Sequence, residues 1–386
     1  MESSRQVIDS RIQRMNLLIK PASGACNMRC SYCFYADEMK HRECANFGMM
    51  NMETLGMLVE KSLIEAAKRP EKSCYFMFQG GEPTLVGIEF YRTLSELVKK
   101  YNTSRVQVGY AIQTNGYSVD EEWAKLFARE RYLVGLSLDG PREIHDANRK
   151  NAAGKGTFDA VIKTAALFDK YRVEYNILSV VTGMSARGAL KIHNFFDSKN
   201  FRYQQYIPCL DPIDAPESTP MALKSDQYAS FLCRTFDAWY ADLCRGKYVY
   251  NRTFENFMAA MIGRPPENCG MAGVCSPQYV IEADGGVYPC DFFVMDEYKL
   301  GNILTDSFEA LDEKREEIGF IERSRMLHPD CRVCKYFALC RGGCYRDRVD
   351  LGDGNPPKNR FCAAYLKFFP YSVDRMADAV RRILGK

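Results

Sequence analysis

The chain has 386 residues, 46% hydrophobic and 26% charged, an ordinary globular composition that excludes a disordered or fibrous protein. Lys and Arg total 52 against 49 Asp and Glu, a net charge of +3, which leaves no electrostatic reason to expect nucleic acid or an anionic membrane as partner. No apolar run approaches the ~18 residues of a membrane span, and the N-terminal sequence lacks the apolar core of a signal peptide, so a cytoplasmic chain is expected.

In chain order, apolar, β-branched and aromatic runs predict strands at 15–20, 74–79, 106–112, 132–138, 173–182 and 202–207. A helical pattern follows each, at 52–68, 90–100, 120–131, 157–171, 186–199 and 225–244. In the first of these, Leu55, Leu58, Val59, Leu63 and Ala66 fall on one face. Strict alternation implies a parallel sheet with helices outside. Six units fall short of the eight that close a TIM barrel. The expected fold is α/β, a partial (β/α)6 TIM-like barrel with its site at the C-terminal strand ends.

The alternation stops near residue 210, where 211–220 is an acidic, proline-rich loop, and 263–270 reads as a boundary. The segment beyond is turn-rich and cysteine-rich, with little core of its own, and is expected to need metal to fold. A helix is expected at 363–384. The expected units are an N-terminal extension at 1–14, the barrel at 15–215, a helical bridge at 216–262 and a cysteine-rich domain at 263–386.

Sixteen cysteines and only four histidines (His41, His145, His193 and His328) argue for thiolate-bound iron or zinc and against histidine catalysis. Cys26, Cys30 and Cys33 follow the first strand with the spacing Cys-x3-Cys-x2-Cys. Three thiolates on one loop can hold three corners of a 4Fe–4S cluster, leaving one iron open for a ligand. The alternative is a three-cysteine zinc site, with His41 as a candidate fourth ligand in what reads as a mobile loop. QGGEP (79–83), QTNG (113–116), SLDG (137–140) and PCLDP (208–212) end strands two, three, four and six. Each alone could be a polar strand exit, but their recurrence around one rim points to a site.

Eight more cysteines run Cys269-x5-Cys275-x14-Cys290, then Cys331-x2-Cys334-x5-Cys340-x3-Cys344-x17-Cys362. They divide into two sets of four, enough for two further clusters, and zinc remains open because Cys-x2-Cys also begins zinc ribbons. Cys44, Cys74, Cys209, Cys233 and Cys244 are left over, of which Cys74, Cys233 and Cys244 lie in strand or helix patterns and are expected to be buried or half-buried.

The cysteine loop, the six βα units and the strand-end motifs resemble the radical S-adenosylmethionine (SAM) enzymes. The resemblance implies a cluster on Cys26, Cys30 and Cys33 whose open iron binds SAM, cleaved to methionine and a hydrogen-abstracting 5′-deoxyadenosyl radical. It also implies SAM contacts from Tyr32, Gly81, Ser137, Arg149 and Leu210. Arg149 has a separate rationale, since a guanidinium can pair bidentately with the methionine carboxylate. Glu82 is expected to order its turn rather than meet SAM. The C-terminal cysteines resemble the SPASM domain, an iron–sulfur extension of certain radical SAM enzymes. That resemblance assigns Cys269, Cys275, Cys290 and Cys344 to an inner auxiliary cluster, and Cys331, Cys334, Cys340 and Cys362 to an outer one.

LIKPASGACNMRCSYCFYAD, FQGGEPTLVG, QTNG, VGLSLDGPREIHDANR and VYPCDFFV together resemble the anaerobic sulfatase-maturating enzymes. This implies oxidation of a sulfatase cysteine or serine to Cα-formylglycine, using three 4Fe–4S clusters and SAM. The implied partners are an unfolded sulfatase polypeptide and an electron donor such as flavodoxin or ferredoxin. Asp291, after Cys290, matches the family's catalytic base. Tyr35 and Gln79 lie just beyond SAM-binding segments, where a peptide would enter, and are expected substrate contacts. Two alternatives stand beside this reading: a radical SAM/SPASM peptide maturase making a crosslink, and a non-catalytic iron–sulfur or zinc scaffold.

Overall fold

The computed structural model describes residues 14–214 and 219–385. The expected N-terminal extension therefore lies almost wholly outside the described residues, as do part of the acidic loop and the expected barrel boundary at 215. Six parallel strands stand side by side in chain order: β1 (Met15–Ile19), β2 (Ser73–Phe78), β3 (Gln107–Thr114), β4 (Leu133–Ser137), β5 (Glu174–Val181) and β6 (Tyr203–Pro208). Each bound lies within two residues of the sequence expectation.

Helices cover the outer face because their apolar stripes match it. In the helix Met52–Lys68, Leu55, Leu58, Val59, Leu63 and Ala66 are all buried, and Asn51 caps the first turn by accepting from Thr54 N. The helix Ser225–Cys244 packs along the C-terminal helix Cys362–Leu384, with Tyr228 against Phe361 (ring centroids 4.7 Å) and Phe236 against Phe368 (5.8 Å). The end of the chain thus returns to the helix that leaves the barrel.

The cysteine-rich part joins the barrel sheet. β7 (Tyr250–Asn251) adds to β6. On the other edge, β8 (Tyr279–Ile281) pairs parallel to β1 and carries β9 (Gly286–Tyr288) and β10 (Gly301–Asn302), making ten strands in the order β10-β9-β8-β1-β2-β3-β4-β5-β6-β7. An open barrel leaves the β1 edge unpaired, and β8 satisfies it. This region has small apolar clusters of its own, one of Val280, Tyr288 and Val294, another of Phe293, Met295 and Phe320. Arg252–Met261 is a second helix within the span expected to be a helical bridge, whereas the helices Phe308–Glu317 and Phe320–Arg325 were not foreseen. Among the leftover cysteines, Cys74 is buried and Cys233 half-buried as expected. Cys244 is exposed, because it ends its helix on the solvent side. Among the described residues, no helix is long and apolar enough to cross a membrane.

Candidate active site

The loop leaving β1 carries the first cysteines and is held from two sides. Gly81 N donates to Ser23 O and Glu82 N to Ala25 O, both at 2.8 Å. Arg29 N donates to Lys150 O (2.7 Å) and Ser31 N to Asn148 O (3.1 Å). A Cβ on Gly81 would lie 2.0 Å from Ala25 O, so only glycine lets the β2 exit approach this closely. Glu82 is buried and accepts from Thr84 N, Thr84 Oγ1, Thr114 Oγ1 and Asn115 N, ordering its own turn and the β3 exit together.

Cys33 lies within electrostatic reach of both Cys26 and Cys30, and Cys26 of Cys30, so that a thiolate on one would hold its neighbour's pKa up. Burial pushes the Cys26 thiol up to about 11 and that of Cys30 up to about 12, so ionising them calls for a cation. Three thiols around one loop fit the three protein corners of a 4Fe–4S cluster. His41 is occupied elsewhere: its Nε2 lies 2.7 Å from Asp214 and its Nδ1 3.0 Å from Asp37 O. Its loop, expected to be mobile, is anchored through Arg42, which is buried and pairs with Glu282 and Ala45 O, and through Phe47 N, which donates to Ser23 Oγ.

Arg149 is buried against the cysteine loop. Its Nε sits 3.1 Å from Asp139, its guanidinium lies 5.4 Å from the Tyr32 ring centroid, and the Tyr32 hydroxyl donates to Asp139. Asp139 therefore takes one edge of the guanidinium and orients the rest. Ser137 Oγ accepts from Gln113 Nε2 at 2.9 Å. Leu210 is half-buried at the β6 exit. Tyr32, Gly81, Ser137, Arg149 and Leu210 thus occupy the strand-end rim and the loops beside the cysteine motif, with a cation placed for a carboxylate.

The C-terminal thiols assemble in the interleaved order. Cys290 faces Cys269, Cys275 and Cys344. Cys340 faces Cys331, Cys334 and Cys362. Burial pushes Cys340 up to about 12. Among the described residues, no three His, Cys, Asp or Glu side chains close on a single-ion site. A cubane takes one thiolate per iron and accommodates a wider ring.

Asp291 is buried beyond β9, facing the β1 and β2 exits. Gln79 Nε2 donates to Asp291 Oδ2 at 2.7 Å. Lys20, wholly buried, brings its Nζ to 2.6 Å from Asp291 Oδ1 in an ionic contact rather than a well-directed hydrogen bond. The Lys20 backbone N donates to Ile281 O (2.8 Å), so the β1–β8 pairing itself sets this contact. Burial alone would lower the pKa of Lys20. Asp291, Tyr35, Glu38 and Glu282 outweigh it and hold the ammonium above its ordinary value.

Tyr35 is buried beneath Lys20, whose Nζ stands 3.6 Å from its ring centroid, and its hydroxyl donates to Glu282. Tyr35 thus supports Lys20, while Gln79 reaches Asp291 directly. Lys20, Glu38, Arg42, Glu282 and Asp139 escaped the sequence reading. The legible signals were a lysine closing a buried strand and an aspartate inside SLDG.

Residues 21–195 match the family model of the radical SAM superfamily, and residues 269–335 match that of SPASM, an iron–sulfur cluster-binding domain. The chain is 43% identical over 373 residues to a cysteine-type anaerobic sulfatase-maturating enzyme of Clostridium novyi, covering 96% of this chain and 99% of that one. A serine-type anaerobic sulfatase-maturating enzyme of Bacteroides thetaiotaomicron is 31% identical, with 96% and 92% covered. The solved structure of native anSMEcpe with bound AdoMet and Cp18Cys peptide superposes with a TM-score of 0.90 at 41% identity, covering 96% of this chain and 99% of that one. Streptococcus suis SuiB bound to precursor peptide SuiA, at 16% identity, TM-score 0.61 and coverage of 92% and 76%, shares the fold alone.

Proposed function

The chain belongs to the anaerobic sulfatase-maturating enzymes, formylglycine-forming members of the radical SAM superfamily, and from that premise we propose that its target is a sulfatase cysteine and that Asp291 is the base. The crosslinking and scaffold alternatives fall to that membership. Cysteine is favoured over serine because the cysteine-type relatives are the more similar, 43% against 31%. The observation that carries the role of Asp291 is its clamping by Lys20 and Gln79 at the mouth of the β1 and β2 exits.

When bound, SAM and the three clusters supply the hydrogen-abstracting radical and an acceptor for the electron. Cys26, Cys30 and Cys33 would hold the SAM cluster, and Arg149, oriented by Asp139, would meet the SAM carboxylate. Tyr32, Gly81, Ser137 and Leu210 line the same rim. Cys269, Cys275, Cys290 and Cys344 would hold the inner auxiliary cluster, and Cys331, Cys334, Cys340 and Cys362 the outer. Removing a hydrogen atom, an electron and a proton turns the target cysteine side chain into a thioaldehyde, which water then hydrolyses to formylglycine with release of hydrogen sulfide, and Asp291 takes the proton. Moving a proton from an ordinary thiol to an ordinary carboxylate is ~6 kcal/mol uphill, so transfer belongs with or after hydrogen abstraction. Lys20 and Gln79 keep the carboxylate turned to that position.

The substrate is an unfolded sulfatase segment, and a small redox protein of the flavodoxin or ferredoxin kind supplies electrons. Sixteen cysteines without a disulfide suit the reducing cytoplasm. The test is anaerobic incubation with SAM, a reductant and two sulfatase-type peptides differing only in Cys or Ser, read by mass spectrometry. The Cys peptide should gain formylglycine faster. Asp291→Asn should still cleave SAM while nearly ceasing to make formylglycine, and wild-type formylglycine from that variant would refute the base.

A further inference from the structure

Arg348 stands against both sets of C-terminal thiols. Its charge is felt by Cys275 and Cys344 of the inner set and by Cys331 and Cys340 of the outer. Its guanidinium donates to five backbone carbonyls: Gly273 O at 3.0 Å within the Cys269–Cys275 loop, Gly342 O and Gly343 O at 3.1 Å each between Cys340 and Cys344, and Ser324 O and Met326 O at 2.6 and 3.0 Å. One side chain thus ties together the loops that carry ligands of both sets.

The hydrogen bonds satisfy the donors but not the charge. No carboxylate forms an ion pair with Arg348 among the described residues, whereas Arg360, just after the strand Lys358–Asn359 that pairs with Arg348–Val349, holds both Asp211 and Asp347. A half-buried guanidinium without an acid carries a desolvation cost that no carboxylate offsets. The groups that would answer its charge once ionised include thiols of both sets, Cys275, Cys344, Cys331 and Cys340. A 4Fe–4S cluster on four thiolates is an anion, and reduction adds one electron and one negative charge. A neighbouring cation favours the reduced form and raises the potential.

We propose that Arg348 is the shared counter-cation of the two auxiliary clusters and that it raises the reduction potential of both. This rests on the reading that the eight cysteines hold two clusters. In the reaction it makes the auxiliary pair a better acceptor for the electron leaving the substrate.

The experiment uses the full chain with Cys26, Cys30 and Cys33 changed to Ala, so that only auxiliary clusters remain. It is reconstituted anaerobically as Arg348, Arg348→Lys and Arg348→Gln forms. Iron content is measured first, then midpoint potentials by electron paramagnetic resonance during a redox titration. The expected result is two clusters in each form, both potentials lower in Arg348→Gln, and both largely restored in Arg348→Lys. Lysine keeps the charge but cannot reach five carbonyls, so its rescue separates charge from scaffolding. Two clusters in Arg348→Lys but none in Arg348→Gln would also support the counter-cation. Unchanged potentials in a fully loaded Arg348→Gln, a shift in one cluster alone, or loss of iron in both variants would overturn it. Failure of the Arg348 form to load two clusters would instead remove the underlying reading.

Discussion

Arg42 and Glu282, 240 residues apart, form an ion pair at 2.9 Å with both side chains fully shielded from solvent. It ties the loop after the first cysteine motif to the hairpin that carries Asp291. Removing one partner leaves a buried charge uncompensated, at a cost of about 3–5 kcal/mol. Arg42→Met should therefore lower the denaturation midpoint of the anaerobic holoenzyme. The double variant Arg42→Met with Glu282→Gln should recover part of the loss. A double variant no better than the single one would contradict the pairing.

Lys20 acts on the reaction through Asp291. Lys20→Met should leave SAM cleavage in place while kcat for formylglycine falls ~10²-fold, as expected when a reacting group loses its alignment. The peptide KM should change much less. The two routes should also be non-additive: in an Asp291→Asn background, Lys20→Met should cost little more. The measurement is formylglycine formed per 5′-deoxyadenosine, and an unchanged ratio would remove Lys20 from the site. Tyr35→Leu, which removes the ring beneath Lys20, should lower this ratio more than Tyr35→Phe.

Glu38 is buried, and among the described residues neither of its carboxylate oxygens has a hydrogen-bond partner. Burial pushes its pKa from 4.5 up to about 8, with Lys20 opposing the rise and Asp291 adding to it. The folded protein then binds this proton more tightly than the unfolded chain. Its stability contribution is fully present below pH ~4.5 and is lost as pH rises toward 8, by about 5 kcal/mol at most. Glu38→Gln, neutral at every pH, should be more stable than the parent at pH 8–9, and the advantage should fade toward pH 5. Parallel melting curves across that range would disprove the shift.

Gly81→Ala should disturb the cysteine loop, because the new methyl would meet Ala25 O at 2.0 Å and backbone must give way. The expected outcome is loss of SAM cleavage with the auxiliary irons retained. Normal SAM turnover in this variant would show that the loop tolerates the displacement.

Much of the architecture was legible because buried parallel strands and amphipathic helices print their period into the chain. The helix Met52–Lys68 matches its expected bounds, and each of the six βα strands lies within two residues of its own. The first cysteine loop was equally plain, since Cys26, Cys30 and Cys33 act within one turn of backbone. Sequence could not show that β8 closes the β1 edge, because Tyr279–Ile281 is too short to display a period. Nor could spacing alone sort the eight later thiols into interleaved fours, which depends on how the loops fold back. The same holds for Lys20 and Asp291. Each reads as an ordinary charged residue until the β1–β8 register sets them 2.6 Å apart, because burial and pairing are properties of the space between segments and not of either segment alone.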